Sequence, residues 1–99
     1  MINLYGDIST EIDWLTSRDE KFRYMMLDRL RSDCDYFLGY GNANLKIVNY
    51  SIFNHIRKMK AIWISLSIKP EWLSYADIIQ YQYKMFNNIR FTLGWEGII

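Results

Sequence analysis

The sequence has few of the residues that interrupt helices, crosslink chains or bind metals. It contains one proline, five glycines, one cysteine and one histidine in 99 residues. A single cysteine excludes an internal disulfide and is typical of a reducing cytoplasm. A closed zinc site needs four nitrogen or sulfur ligands, which one cysteine and one histidine cannot supply. We therefore expect no metal ion and no cofactor.

Long apolar runs are also missing. The longest, at residues 61–68, is too short to span a bilayer. The start of the chain, MINLYGDIST, has no basic segment leading into an apolar run, as a signal peptide would. We therefore expect a cytoplasmic protein without a membrane partner.

What the chain does contain is enough to fold one domain, which we place at residues 1–99. The composition is 51% hydrophobic and 17% aromatic, which argues against disorder. The net charge is +1, but residues 1–38 carry −3 and residues 39–99 carry +4. Two interpretations are open. An acidic first helix packs beside a basic second helix, or a basic face is exposed to an acidic partner.

Hydrophobic periodicity predicts three main helices, at about residues 18–38, 50–66 and 75–87, so the fold class is mainly α. For the first helix, Ser17 and Glu20 predict a capping box at its start, and Gly39 predicts a left-handed residue at its end. Its apolar face, with Leu27 at the margin, consists of Phe22, Met26, Leu30, Cys34, Phe37 and Leu38.

The second helix should be capped by Asn49 or Ser51, and the third by a pairing of Ser74 with Asp77. Core positions of the second helix are Ile52, Ile56, Met59, Trp63 and Leu66. The apolar residues of the third cover more than half its circumference and predict burial on two sides: Tyr75, Ile78, Ile79, Tyr81, Met85 and Phe86.

The remaining segments are predicted to be short. Residues 9–15 form one or two helical turns that cover the first long helix. Residues 67–73 form a connector because Pro70 disfavours helix before it, and Trp72 folds back onto the core. Residues 2–5, 44–48 and 89–93 read as short strands able to pair, with a turn at residues 6–7.

Asp33 breaks the pattern of the first helix, because its position around the helix axis places a carboxylate inside the apolar face, where an unpaired charge is costly to bury. We expect it to be substantially buried. Its partners would be backbone N–H groups of residues 40–44, a loop in which Gly41 and Asn42 tolerate positive φ, or Arg29 four residues earlier. Asp33 would then hold this loop in place.

A second stripe of the 50–66 helix recurs at helical spacing and consists of Phe53, Arg57, Lys60 and Ile64. Either its apolar members pack under the terminal segments while the cations are solvated, or the stripe is a contact surface for a partner. Tyr36, Tyr40, Tyr50 and Tyr83 cannot all belong to the predicted core, and exposed aromatic residues are typical anchors of interfaces. Tyr40 and Tyr50 are therefore further candidates for partner binding, the alternative being ordinary surface tyrosines.

Catalytic chemistry has little support. A nucleophile pair of Cys34 and His55 would need a reactive thiol, but Cys34 lies on an apolar face, where cysteines are usually inert. The segment Gly39-Tyr40-Gly41 lacks the strand, the helix and the glycine spacing of a phosphate-binding loop. We therefore expect a protein that is not an enzyme.

Two segments carry a family resemblance. Residues 30–42, LRSDCDYFLGYGN, and residues 69–74, KPEWLS, resemble the pattern of a large polyvalent protein-associated domain, a module of phages and conjugative elements, over about residues 27–85. The resemblance implies a setting in mobile elements and in the cytoplasm of a bacterial host. Small stand-alone versions are candidates for countering host defences, including anti-CRISPR proteins that bind a nuclease complex and block it.

The expected partner is accordingly a host defence protein or nuclease complex. The alternative is nucleic acid, bound by Arg57, Lys58, Lys60 and Lys46 with stacking by Tyr40 or Tyr50. A pI of about 7.8 argues against that alternative, because nucleic-acid-binding domains are usually strongly basic. A homo-oligomer stays open.

Overall fold

The computed structural model describes residues 8–92, with side chains up to Ile89. This part of the chain folds into four α-helices: α1 (Ser9–Thr16), α2 (Glu20–Leu38), α3 (Ile52–Ser65) and α4 (Tyr75–Thr92). A turn of 3-10 helix, Leu45–Val48, lies between α2 and α3. The mainly α prediction is confirmed, and α1 makes a fourth helix of the segment predicted as a short cover.

No strand occurs within residues 8–92, so two strand predictions are wrong. At residues 44–48, the Asn44 side chain accepts a hydrogen bond from the N–H of Lys46 at 3.0 Å and caps the 3-10 turn. At residues 89–92 the chain continues α4, because Ile89 packs against the core four residues beyond the buried Met85. The predicted strand at residues 2–5, the turn at residues 6–7 and Leu93 lie outside the described residues.

The start of α2 differs from the predicted capping box. Asp19 is the N-cap, and its carboxylate accepts a hydrogen bond from the N–H of Phe22 at 2.8 Å. Ser17 is instead the C-cap of α1, where its hydroxyl donates to the carbonyl of Trp14, and its backbone (φ −86°, ψ −9°) is helical rather than extended as an N-cap requires. The boundary prediction at Ser17 was therefore wrong by two residues.

The end of α2 is at the predicted glycine, but with a different backbone. Gly39 has φ −111°, so it does not supply a left-handed residue. The left-handed residues follow in two pairs, at φ 52° in Asn42 and 58° in Ala43, and at φ 53° in Asn49 and 64° in Tyr50. The expectation that the loop would use positive φ is confirmed at Asn42.

The core lies between α2, α3 and α4, with α1 packed on α3. Leu27 is fully buried rather than marginal, and Ile62 and Leu73 are core residues that the helical pattern missed. The buried hydrophobic residues are Leu15, Leu27, Leu30, Cys34, Phe37, Ala43, Val48, Ile52, Ile56, Met59, Ile62, Leu66, Leu73, Ile78 and Met85.

The helix α4 buries one side, not two. Ile78 and Met85 are fully buried, whereas Tyr75 and Phe86 are exposed. The predicted capping pair is confirmed, since Ser74 N–H donates to the Asp77 carboxylate at 2.9 Å and Asp77 N–H donates to the Ser74 hydroxyl at 3.0 Å. This helix therefore keeps an apolar side free beside α3.

The connector between α3 and α4 is tied to the end of α3. Lys69 Nζ donates to the carbonyls of Trp63, Ile64 and Leu66 at 2.7–3.0 Å. The indole N–H of Trp63 donates to the carbonyl of Leu73 at 3.0 Å. Pro70 lies in this non-helical segment, as predicted. These bonds fix where α4 begins relative to α3.

Candidate functional site

The helices α3 and α4 run antiparallel and place partly buried and exposed side chains of one helix beside those of the other. Trp63 near the end of α3 contacts Tyr75 at the start of α4, with ring centroids 5.3 Å apart. Further along, Lys60 Nζ donates to Gln82 Oε1 at 3.3 Å. We call the resulting surface the α3–α4 face; it consists of Phe53, Arg57, Lys60, Ile64, Ile79, Gln82, Tyr83 and Phe86.

The apolar members of this face are open to solvent. Phe53 is 56% exposed and Ile64 is 61% exposed, so neither packs under another described segment. On α4, a depression of about 380 Å³ is lined by Ile79, Gln82, Tyr83 and Phe86. The stripe predicted from sequence is thus brought together with α4 residues that the sequence did not connect to it.

The charged members of the face are two cations. The Arg57 guanidinium lies 5.7 Å from the centroid of the Phe53 ring. Within the described residues, neither Arg57 nor Lys60 pairs with a carboxylate. The helix α3 has no Asp or Glu, and the only one of α4, Asp77, caps its own helix. The face is therefore apolar and positive.

Tyr40 and Tyr50 lie on the loop between α2 and α3 rather than on this face. Their side chains are 92% and 65% exposed. Tyr50 also adopts a left-handed backbone, which is unfavourable for an aromatic residue. The two exposed tyrosines are available for contacts from this loop.

Asp33 does not hold the loop as expected. It is only partly buried, and in the part of the chain that the structure describes its carboxylate has no hydrogen bond or ion pair. The loop is held by backbone bonds, from Gly41 N–H to the Tyr36 carbonyl at 2.7 Å and from Ala43 N–H to the Phe37 carbonyl at 2.9 Å. Gly41 permits this close approach because it has no side chain.

The two segments that carry the family resemblance meet in a cleft of about 250 Å³ between α2, the connector and α4. The Arg31 guanidinium lies 5.3 Å from the Trp72 ring centroid. Trp72 was predicted to fold back onto the core, but it is 45% exposed and does not pack against the buried cluster, so that prediction is wrong. Arg31 pairs with Asp28 and Asp35, and Tyr81 donates to Asp35 at 2.7 Å. This network ties α2 to α4.

Electrostatics in the cleft follow from these contacts. The hydrogen bond to Asp28 raises the pKa of Arg31. Burial, and then the bond to Asp35, raise the pKa of Tyr81 to about 12. Both groups therefore keep their protons at neutral pH. Sequence reasoning missed this network, whose local signals were the spacings of Arg31 from Asp28, three residues before it, and from Asp35, four residues after it.

Cys34 and His55 have partners other than each other. The Cys34 thiol lies 3.6 Å from Met59 Sδ, and burial raises its pKa to about 12. His55 Nε2 lies 2.8 Å from the Leu30 carbonyl, so the ring donates there, and burial lowers its pKa. Both side chains are core residues.

The described part of the chain has neither a cluster of metal ligands nor a membrane-spanning helix. Among residues 8–92, no group of three or more His, Cys, Asp or Glu side chains is placed to hold a metal ion. Within the same residues, no helix is both long and apolar enough to cross a bilayer.

Comparison with known proteins gives one match. A family model described as large polyvalent protein-associated domain 11 matches residues 20–85. The matched region runs from the start of α2 into α4 and includes both motif segments. No curated protein and no solved structure matches the chain.

Proposed function

Because the chain belongs to the large polyvalent protein-associated domain 11 family, which associates it with phages and other mobile elements, we propose that it is a non-enzymatic inhibitor of a host defence complex. It binds that complex through the α3–α4 face and blocks it in the manner of an anti-CRISPR protein. The protein works by occupying a surface, and no bond of the target is broken.

One observation supports this proposal above the others: the α3–α4 face exposes large apolar side chains beside two cations that pair with no carboxylate of the described residues. Arg57 and Lys60 are partly exposed and pair with no carboxylate of the described residues, so their charges contribute little to folding. A partner that covers Phe53 and Ile64 would remove apolar surface from water and meet the cations with carboxylates.

The expected energetics identify Phe53 as the anchor. About half of its side chain is exposed, so a partner would bury on the order of 100 Å², worth about 2–3 kcal/mol. Phe53→Ala should therefore weaken binding by roughly 30-fold or more. Each charge contact at the edge of the face should contribute less, because surface ion pairs are typically worth under about 1 kcal/mol.

The test starts with tagged protein and a lysate of the bacterial host, with and without nuclease. We expect mass spectrometry to identify a subunit of a defence complex that stays bound after nuclease treatment. Expression of the parent should also restore plaque formation by a phage that this defence restricts. Capture that is lost entirely on nuclease treatment, with steep salt dependence, would instead support the nucleic-acid alternative.

Variants localise the effect. Arg57→Glu with Lys60→Glu should fold normally but lose both capture and plaque rescue. A matched control, Lys21→Glu with Arg29→Glu, makes the same charge change at exposed cations of α2. This control should behave as the parent. If the two double variants lose activity equally, overall charge rather than the α3–α4 face is responsible, and the proposed site is wrong.

A further inference from the structure

The shape and charge of the α3–α4 face specify what kind of segment it accepts. Resting on the function proposed above, we infer that the face binds one amphipathic helix of the partner, with carboxylates flanking its apolar side. The face lies along two antiparallel helices that the Lys60–Gln82 hydrogen bond joins, and its α4 side carries the depression lined by Ile79, Gln82, Tyr83 and Phe86.

The dimensions suit a short helix. Phe53 and Ile64 are 11 residues apart on α3, which at 1.5 Å per residue is about 16 Å, or three helical turns. The apolar members of the face recur at helical spacing, so a third helix would place its own residues at i, i+3, i+4 and i+7 against them. Residues 8–92 contain no strand, so no sheet edge is offered to an extended peptide.

The charges select an acidic helix. Arg57 and Lys60 are three residues apart on one side of α3 and lack carboxylate partners within the described residues. Carboxylates three or four residues apart on the incoming helix would meet both cations.

Two other occupants fit less well. A second copy of this chain, paired by a two-fold axis through the face, would bring Arg57 and Lys60 against the same two cations. Nucleic acid would meet the cations but would leave Ile64 and Phe53 without matching apolar surface.

The probe is a displayed library of random 20-residue peptides, selected against the full-length protein. We expect the selected peptides to share apolar residues at helical spacing beside Glu or Asp, and to lose binding when proline replaces a central residue. Selection of basic, uncharged or proline-rich sequences, or of none, would overturn the inference.

A charge swap then tests the pairing directly by fluorescence anisotropy. The best acidic peptide should bind the Arg57→Glu and Lys60→Glu variant about tenfold or more weakly than the parent. The same peptide with Lys in place of its acidic residues should recover affinity for that variant. The α2 control variant should bind both peptides as the parent does. Loss without recovery by the swapped peptide would count against an acidic helix.

Analytical ultracentrifugation of the parent protein tests whether a second copy of the chain occupies the face. A dimer that the Arg57→Glu and Lys60→Glu variant dissociates would show that the face binds a second copy, and would overturn the inference.

The binding of a peptide helix and the inhibition of a defence complex can fail independently. If acidic peptides bind but no defence complex is captured, the face binds an acidic helix and the proposed function is wrong. If a defence complex is captured but the acidic peptides do not compete with it for binding, the proposed function is supported and the acidic-helix inference is wrong.

Discussion

The close approach at Gly41 gives the sharpest prediction for folding. An alanine Cβ at this position would run into Ile47 Cδ1 and would lie 2.8 Å from the Tyr36 carbonyl oxygen and 3.1 Å from Tyr36 Cδ2. The φ of Gly41 lies outside the left-handed region, so alanine meets no positive-φ strain there. Only the lack of space opposes the substitution.

The magnitude for Gly41→Ala follows from two opposing terms. Overpacking a tight contact costs about 1–3 kcal/mol. Replacing glycine lowers the entropy of the unfolded chain and returns about 0.4–1 kcal/mol. The free energy of unfolding should therefore fall by about 1–2 kcal/mol, which for a domain of this size lowers Tm by roughly 5–15 °C.

A double-mutant cycle locates the collision. Ile47→Val removes the Cδ1 atom that the new methyl group would meet, at a cost of about 0.5–1 kcal/mol because Ile47 is only partly buried. Thermal unfolding followed by circular dichroism should show the double variant losing less than the sum of the two single losses. A Gly41→Ala protein that melts at or above the parent temperature would refute the reasoning, and strict additivity would place the collision elsewhere.

Three further predictions concern buried or misjudged groups. Burial lowers the pKa of His55 below its ordinary 6.5, so the unfolded chain binds a proton that the native state does not, and stability should fall as pH drops through that value. In His55→Gln, which can still donate to the Leu30 carbonyl, that part of the slope should vanish; an unchanged slope assigns it to other groups. Because burial raises the pKa of Cys34 to about 12, the thiol should resist alkylation at about pH 8 until the protein unfolds, and rapid labelling of the native state would contradict its position. Asp33→Ala should change the unfolding free energy by less than about 0.5 kcal/mol, since the carboxylate has no partner among the described residues, whereas a loss of several degrees in Tm would restore it as a structural contact.

The sequence predicted what depends on neighbours along one helix. The buried stripe of α3 at Ile52, Ile56 and Met59 was found because one helix face repeats at a fixed angle. The Ser74–Asp77 cap was found because both partners lie within one turn. These features need no knowledge of the tertiary structure.

The sequence failed where two local solutions competed. Ser17 and Asp19 are both good capping residues, and the short helix α1 engages Ser17, which leaves Asp19 to α2. Alternating residues at 89–92 resembled a strand, but the packing of Ile89 against the core extends α4 instead. Tertiary packing decides such cases, and the local pattern of one sequence does not show which tertiary contacts form.

The sequence predicted the α3 residues of the candidate site but not its α4 residues. Phe53, Arg57, Lys60 and Ile64 share one helix, so their common side follows from spacing. Their neighbours on α4 come from a segment about 20 residues further along, and the Lys60–Gln82 contact depends on how the connector turns. The bond from Tyr81 to Asp35 joins residues 46 apart, which no local pattern relates.

The connector that joins α3 to α4 has a kinetic consequence. Lys69 binds three carbonyls at the end of α3, and Trp63 holds the Leu73 carbonyl, so the angle between the two helices is set before any partner arrives. A preformed surface needs no slow opening step. Its association with a partner should therefore show one exponential phase whose rate rises linearly with concentration, and the entropy of ordering should fall on the partner's segment.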